Sequence, residues 1–106
     1  AAMSVRGSIP KGSTVTVQFR APAGNKGTAV AGSVWLGSGD RQTQDSFLIP
    51  GGHETHRHTE PGANALRLHL DVPSEGGIIE VEVTANGARI DSGATGTDGF
   101  WTYIVQ

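Results

Sequence analysis

The 106-residue chain has no cysteine. Disulfides, thiolate metal sites and a cysteine nucleophile are therefore excluded. The compartment stays open on that count, because secreted domains of this size can manage without disulfides. Lysine is scarce, present only as Lys11 and Lys26. Eight Lys and Arg stand against ten Asp and Glu, a net charge of −2 with neutral histidines. Nucleic acid and anionic membrane surfaces demand a basic excess that this balance lacks. No apolar run approaches the roughly 20 residues of a membrane-crossing helix. Neither a nucleic-acid partner nor membrane insertion is expected. Helical periodicity is missing as well, since no window of eleven residues keeps an apolar face at that spacing.

What is there is the vocabulary of short strands and tight turns: sixteen glycines, with many Thr, Ser and Val. The length suits one domain over 1–106, able to bury roughly two thirds of its unfolded surface. The opening AAMS, 1–4, reads as a cloning remnant or a disordered lead-in. Val15, Val17 and Phe19 alternate with polar residues, as do Leu66, Leu68, Leu70 and Val72, and Ile79, Val81 and Val83. Each reads as a strand with one face in a core and one face wet. Asn86-Gly87 is the preferred pair for a two-residue type I′ turn. That turn predicts Ala85 opposite Ala88, Thr84 opposite Arg89 and Val83 opposite Ile90. Strands are expected near 4–9, 13–20, 28–36, 44–49, 53–60, 65–72, 78–85, 88–92 and 99–105. The expected fold is an all-β antiparallel β-sandwich, jelly-roll-like or Ig-like, of eight or nine short strands. Its core should hold Val15, Val17, Phe19, Leu66, Leu68, Leu70, Ile79, Val81, Val83 and Ile90.

The stretch GGHETHRHTE, 51–60, holds three of the four histidines. On a strand, Glu54, His56, His58 and Glu60 share one face, and neither face is apolar. That predicts an edge strand or an ordered loop. His56 and His58 at i and i+2 point the same way with Cα atoms ~6.6 Å apart. Such a pair suits Zn²⁺, Ni²⁺ or Cu²⁺, with Glu54, Glu60 or the distant His69 as further ligand. The plain alternative is a solvated edge whose charges prevent aggregation. Gly51, His56, His58 and Glu60 resemble the first metal motif of the cupin family, a glycine, then H-x-H, then a glutamate. The spacing departs from that motif at the first histidine and at Glu60, and the family's second motif does not follow residue 70. The resemblance spans about ten residues and is not adopted. A second divalent-cation reading, for Ca²⁺, places Glu82 opposite Asp91 with Glu80 nearby and Asp98 and Thr95 in the following loop; neutralisation by Arg89, diagonal to Glu82, or by solvent is the favoured alternative.

Six aromatic residues are present: Phe19, Trp35, Phe47, Phe100, Trp101 and Tyr103. Trp35 has the opposite parity to Val34 and Leu36, so it faces water or a covered second face. Trp101 and Tyr103 share one face of FWTYIV, 100–105; Phe100, Thr102 and Ile104 share the other. That run is expected to be a central strand or one whose outer face meets a partner. An exposed Trp or Tyr offers a flat apolar platform with a polar tip, suited to a sugar ring or a protein partner. The ligand-binding candidates are Trp35, Trp101 and Tyr103, with Asp40, Asp91 and Asp98 as acceptors for sugar hydroxyls. No nucleophile elbow, phosphate loop or dinucleotide fingerprint occurs. Three functions follow in order: a non-catalytic binding module, lectin-like or accessory, acting on glycans outside the cytoplasm or after secretion; a structural subunit of a homo-oligomer; and a metal-dependent enzyme on His56 and His58.

Overall fold

Alternating sequence becomes alternating burial. Along Val15–Ala21 the odd positions are buried and the even ones are wet or half-wet. Ala63–Asp71 behaves in the same way, with Leu66, Leu68 and Leu70 inside. The computed structural model describes residues 4–21, 30–38, 41–49, 54–71, 78–95 and 99–106. It contains nine strands: β1 (Ser4–Ile9), β2 (Val15–Ala21), β3 (Val30–Ser38), β4 (Arg41–Ile49), β5 (Glu54–Glu60), β6 (Ala63–Asp71), β7 (Ile79–Ala85), β8 (Ala88–Thr95) and β9 (Gly99–Val105). No helix occurs among the described residues. Ser4 already belongs to β1 rather than to a disordered lead-in.

The strands form two sheets, one of five in the order β1-β9-β6-β3-β4 and one of four in the order β5-β2-β7-β8. One ladder departs from the antiparallel expectation: β1 runs parallel to β9. The two ladders of β9 are therefore of opposite kind, antiparallel to β6 and parallel to β1.

A single buried cluster draws side chains from both sheets. Ile9, Val34, Leu66, Leu68, Leu70 and Tyr103 come from the five-stranded sheet. Val15, Val17, Phe19, Ile79 and Val83 come from the four-stranded one. Eight of the ten expected core residues are buried here. Val81 and Ile90 are only partly buried and pack against its margin; Ile90 is on the edge strand β8 and Val81 stands beside it on β7, opposite Gly93, which has no side chain.

Two connections hold one end of the molecule. Gly12, at φ 82°, adopts the left-handed conformation that glycine accepts without strain. Its N–H then donates to the Ala63 carbonyl at 2.8 Å. Ser13, the one buried polar residue among the described residues, donates its hydroxyl to the Pro10 carbonyl at 2.7 Å. At the β7–β8 hairpin, Asn86 (φ 52°) and Gly87 (φ 84°) adopt the predicted left-handed turn. Asn86 does more than turn the chain: its Oδ1 accepts from Thr14 N–H at 2.9 Å, and its own N–H donates to the Thr14 carbonyl at 2.8 Å.

The hairpin register holds for Ala85–Ala88 and Thr84–Arg89 and then slips. Val83 pairs with Asp91 rather than Ile90, and Glu82 pairs with Ser92 rather than Asp91. Ile90 is the extra residue of a β-bulge, which re-aims every later side chain of the strand. Asp91 thereby turns to the inner face, beside buried Val83.

Leu68 lies at 0% exposure between Val34 and Trp101 in register. Leu68→Ala is expected to cost about 2–5 kcal/mol, the range for emptying a fully buried leucine site. The denaturant midpoint at constant m-value measures it.

Candidate functional site

On each flank of the molecule an edge of one sheet contacts an edge of the other. On one flank β1 faces β8; on the other β4 faces β5. The candidate residues collect at these two flanks and on the outer face of the five-stranded sheet.

At the β1/β8 flank the bulge has brought Asp91 inward. Tyr103 donates its hydroxyl to Asp91 Oδ2 at 2.8 Å. Arg6 donates Nε–H to the same oxygen at 3.2 Å and a terminal N–H to Oδ1 at 3.4 Å. The Arg6 guanidinium crosses directly over Gly93, where a side chain would collide with it. Trp101 folds its indole against Gly99 in a position that a methyl group there would overlap. Arg6, Asp91, Gly93, Thr95, Trp101 and Tyr103 are among the residues lining a small cavity of about 20 Å³. That is room for about one water, which needs ~10–15 Å³ by this measure. Three of the six ligand candidates, Asp91, Trp101 and Tyr103, thus come together. They do so in a cleft too small for a sugar ring, with the Asp91 carboxylate already engaged. Tyr103 is 5% exposed. Trp101 is partly buried against the core. Tyr103 is thus enclosed, whereas Trp101, like Trp35, is intermediate in exposure.

Trp35 lies elsewhere, on the outer face of the five-stranded sheet, half-exposed. Its ladder neighbours are Arg67 on β6 and Gln44 on β4. Phe100 reaches across from β9, its ring centroid 6.0 Å from that of Trp35 and tilted by 50°. His69 packs on the other side of Phe100 at 5.8 Å. Ser33 and Ser46 share a hydrogen bond at 3.4 Å in the next row, and Gln44 donates to Ser46 at 3.4 Å. The outer face of the four-stranded sheet is different: Thr16, Gln18, Arg20, Glu80, Glu82 and Arg89 give a polar groove with no aromatic residue. Asp40 and Asp98 lie outside the described residues.

On the other flank, β5 is the predicted edge strand. His56, His58 and Glu60 pair with Phe19, Val17 and Val15 of β2 and so point inward, toward β4. There His56 Nε2–H donates to Asp45 Oδ2 at 2.7 Å, and His58 Nδ1 lies 3.1 Å from the same oxygen. His58 Nε2 lies 3.5 Å from Glu60 Oε2. Glu54 opens β5 opposite Ala21; its side chain lies outside the described residues, as does His53. His69 is on the far face of the other sheet. Among the described residues, no group of three or more His, Asp or Glu is arranged to hold a metal ion. The Glu82–Asp91 pairing, on which both the Ca²⁺ reading and its Arg89 alternative rested, is split by the bulge onto opposite faces.

Arg6 and Asp45 were not legible as site residues. Each is the sole charge in an otherwise neutral strand interior, and its partners come from a strand of the other sheet.

Burial, then the hydrogen bond and charge of Asp91, push the Tyr103 phenol well above the ordinary tyrosine range, and Arg6 offsets this only in part. The shift is upward, so its stabilisation is complete below the unfolded pKa of about 10 and is lost as pH rises beyond it. Wild-type stability should therefore fall above about pH 10, and Tyr103→Phe should flatten that decline. At neutral pH the variant should be destabilised by about 1.5–3 kcal/mol, the worth of a hydrogen bond to a charged group. Urea midpoints between neutral and alkaline pH, with tyrosinate absorbance, measure both. No protein-family model, no curated protein and no solved structure matches the chain.

Proposed function

We propose that the chain is a non-catalytic, carbohydrate-binding β-sandwich module, its two sheets stacked face to face, with Trp35 as the anchor for a sugar ring. The shared core supports the stacking, since side chains of both sheets enter one buried cluster. The observation that carries the glycan reading is the setting of Trp35. A pyranose has an apolar C–H face and a polar rim, so it needs an aromatic plane beside fixed donors and acceptors. The Trp35 indole supplies the plane, with Phe100 tilted against it; Arg67 and Gln44 stand next to it in the ladder and Ser33 two positions along β3. Arg67 makes no hydrogen bond or ion pair among the described residues, so its guanidinium is available to a ligand. The flat face engages one side of a sugar only. Monosaccharides should bind weakly, and repeated contacts along a polymer raise the avidity. Under this reading the module works outside the cytoplasm, where polymeric glycans are met.

A second reading is self-association through the same face. Leu48 and Ile104, on the Trp35 side of β4 and β9, are 64% and 51% exposed. Apolar side chains on an open sheet face favour a second copy as the partner.

The test uses Trp101→Phe as background, leaving Trp35 the only tryptophan. Retention on insoluble polysaccharides and quenching by soluble glycans are measured with and without Trp35→Ala. Binding should weaken at least tenfold, about 1.4 kcal/mol, with the melting temperature little changed. Undiminished retention after Trp35→Ala ends the reading. A change in sedimentation with no glycan response supports self-association instead.

A further inference from the structure

On the outer face of the five-stranded sheet the ladders set side chains in rows. One row runs Thr102, Arg67, Trp35, Gln44 across β9, β6, β3 and β4. The next runs Phe100, His69, Ser33, Ser46. Strands lie about 4.8 Å apart, so each row spans roughly 14 Å. Arg67 is exposed and is the one permanently charged side chain in either row. Its guanidinium has no hydrogen bond or ion pair among the described residues. On β6 the carboxylate that shares this face is Asp71, four positions on and so ~13 Å away. The outer face of the other sheet is unlike this one: there Arg20 is paired with Glu80, and Arg57 donates to Gln18. Here an uncommitted guanidinium stands beside an indole.

We infer that this face takes an acidic polysaccharide, with the carboxylate of a uronic acid held by Arg67 while the ring of that sugar lies on Trp35. The inference rests on the glycan reading of Trp35 and names the class of sugar. A uronate keeps the apolar C–H face of other pyranoses and carries a planar carboxylate at its rim. A guanidinium presents its N–H donors in a planar fork that matches both carboxylate oxygens. The ring and the charge of one sugar unit are therefore met by two neighbours in one row. Gln44, on the other side of the indole, donates its amide N–H to Ser46 and keeps its carbonyl oxygen for a sugar hydroxyl. Arg67 and its ligand both meet solvent, so a single contact is weak and salt-sensitive, and repetition along a polymer supplies the avidity. Nucleic acid suits this face less, because successive phosphates call for several cations and these rows hold one.

The test measures binding of the full chain to polygalacturonate, alginate and hyaluronan, to the methyl ester of each, and to neutral polysaccharides. Esterification removes the charge and keeps the ring. At least one acid polymer should bind, and its ester should bind about 10–100-fold more weakly, the worth of hydrogen bonds to a charged group. Arg67→Gln should weaken the acid polymer by a similar factor and leave the ester unchanged. Arg67→Lys should restore only part of the loss, because an ammonium lacks the fork. Trp35→Ala should weaken both forms, and added salt should weaken the acid form alone. Melting curves verify that the variants fold, and the acid-to-ester ratio of the wild type decides without them. A preference for esters or neutral polymers, or an acid polymer indifferent to Arg67→Gln, overturns the assignment and leaves the glycan reading standing. Retention that needs Arg67 but not Trp35 is plain ion exchange and overturns it as well. If no polymer binds, acid, ester or neutral, both readings end.

Discussion

Two sheets can exclude water from each other only where both are present. In the middle, Phe19, Leu66, Leu68 and Leu70 meet a fully apolar surface and are almost wholly hidden. At the flanks an inward-facing side chain looks half into the core and half into solvent, and a purely apolar residue there would leave its edge wet. The chain meets this constraint in the same way twice. A carboxylate stands on the edge strand of one sheet and its partners come from the other sheet. Asp91 of β8 is reached by Arg6 of β1 and by Tyr103. Asp45 of β4 is reached by His56 and His58 of β5. Each network closes a flank without adding a strand. Each also leaves charged groups in a half-dry setting, where their interactions are stronger than in water.

The sequence shows the strands well and the flanks poorly, for a physical reason. Strand identity is local: alternation in Val15–Phe19, Leu66–Leu70 and Ile79–Val83, with turn residues such as Asn86-Gly87, fixes element type within a few positions. All nine strands and the edge character of β5 follow from such patterns. Flank chemistry is non-local. Asp45 and His58 are on different sheets, and Arg6 and Asp91 are 85 positions apart. No spacing rule links them. The bulge at Ile90 is equally silent in the sequence, because one extra residue in a strand leaves composition and turn intact. It nonetheless decides which face Asp91 serves, and so it separates a supposed acidic pair and builds a polar cleft instead.

Trp35 illustrates a middle case. Its parity against Val34 placed it on the outer face correctly. Its company did not follow from parity: Arg67 and Gln44 flank it only because β6 and β4 are the neighbours of β3, and Phe100 reaches it across β6 from β9. Parity assigns a face, whereas the ladder assigns neighbours. A binding surface needs both.

The parallel pairing of β1 with β9 carries a consequence in time. β9 sits between β1 and β6, yet it is synthesised after the other eight strands. Until it emerges, β1 has no partner in its sheet and β6 is paired on one side only. Most other ladders also join distant segments, as in β2 with β7 and β3 with β6. Sheets of this kind fold slowly, because loop-closure entropy is spent before the contacts that repay it. A nascent chain would therefore hold two unsatisfied strand borders, that of β1 and that of β6, from the time each strand is made until β9 follows. Such borders invite pairing with other chains. The vulnerable period in this protein's life is its birth, and it ends when Gly99–Val105 slides into the remaining gap.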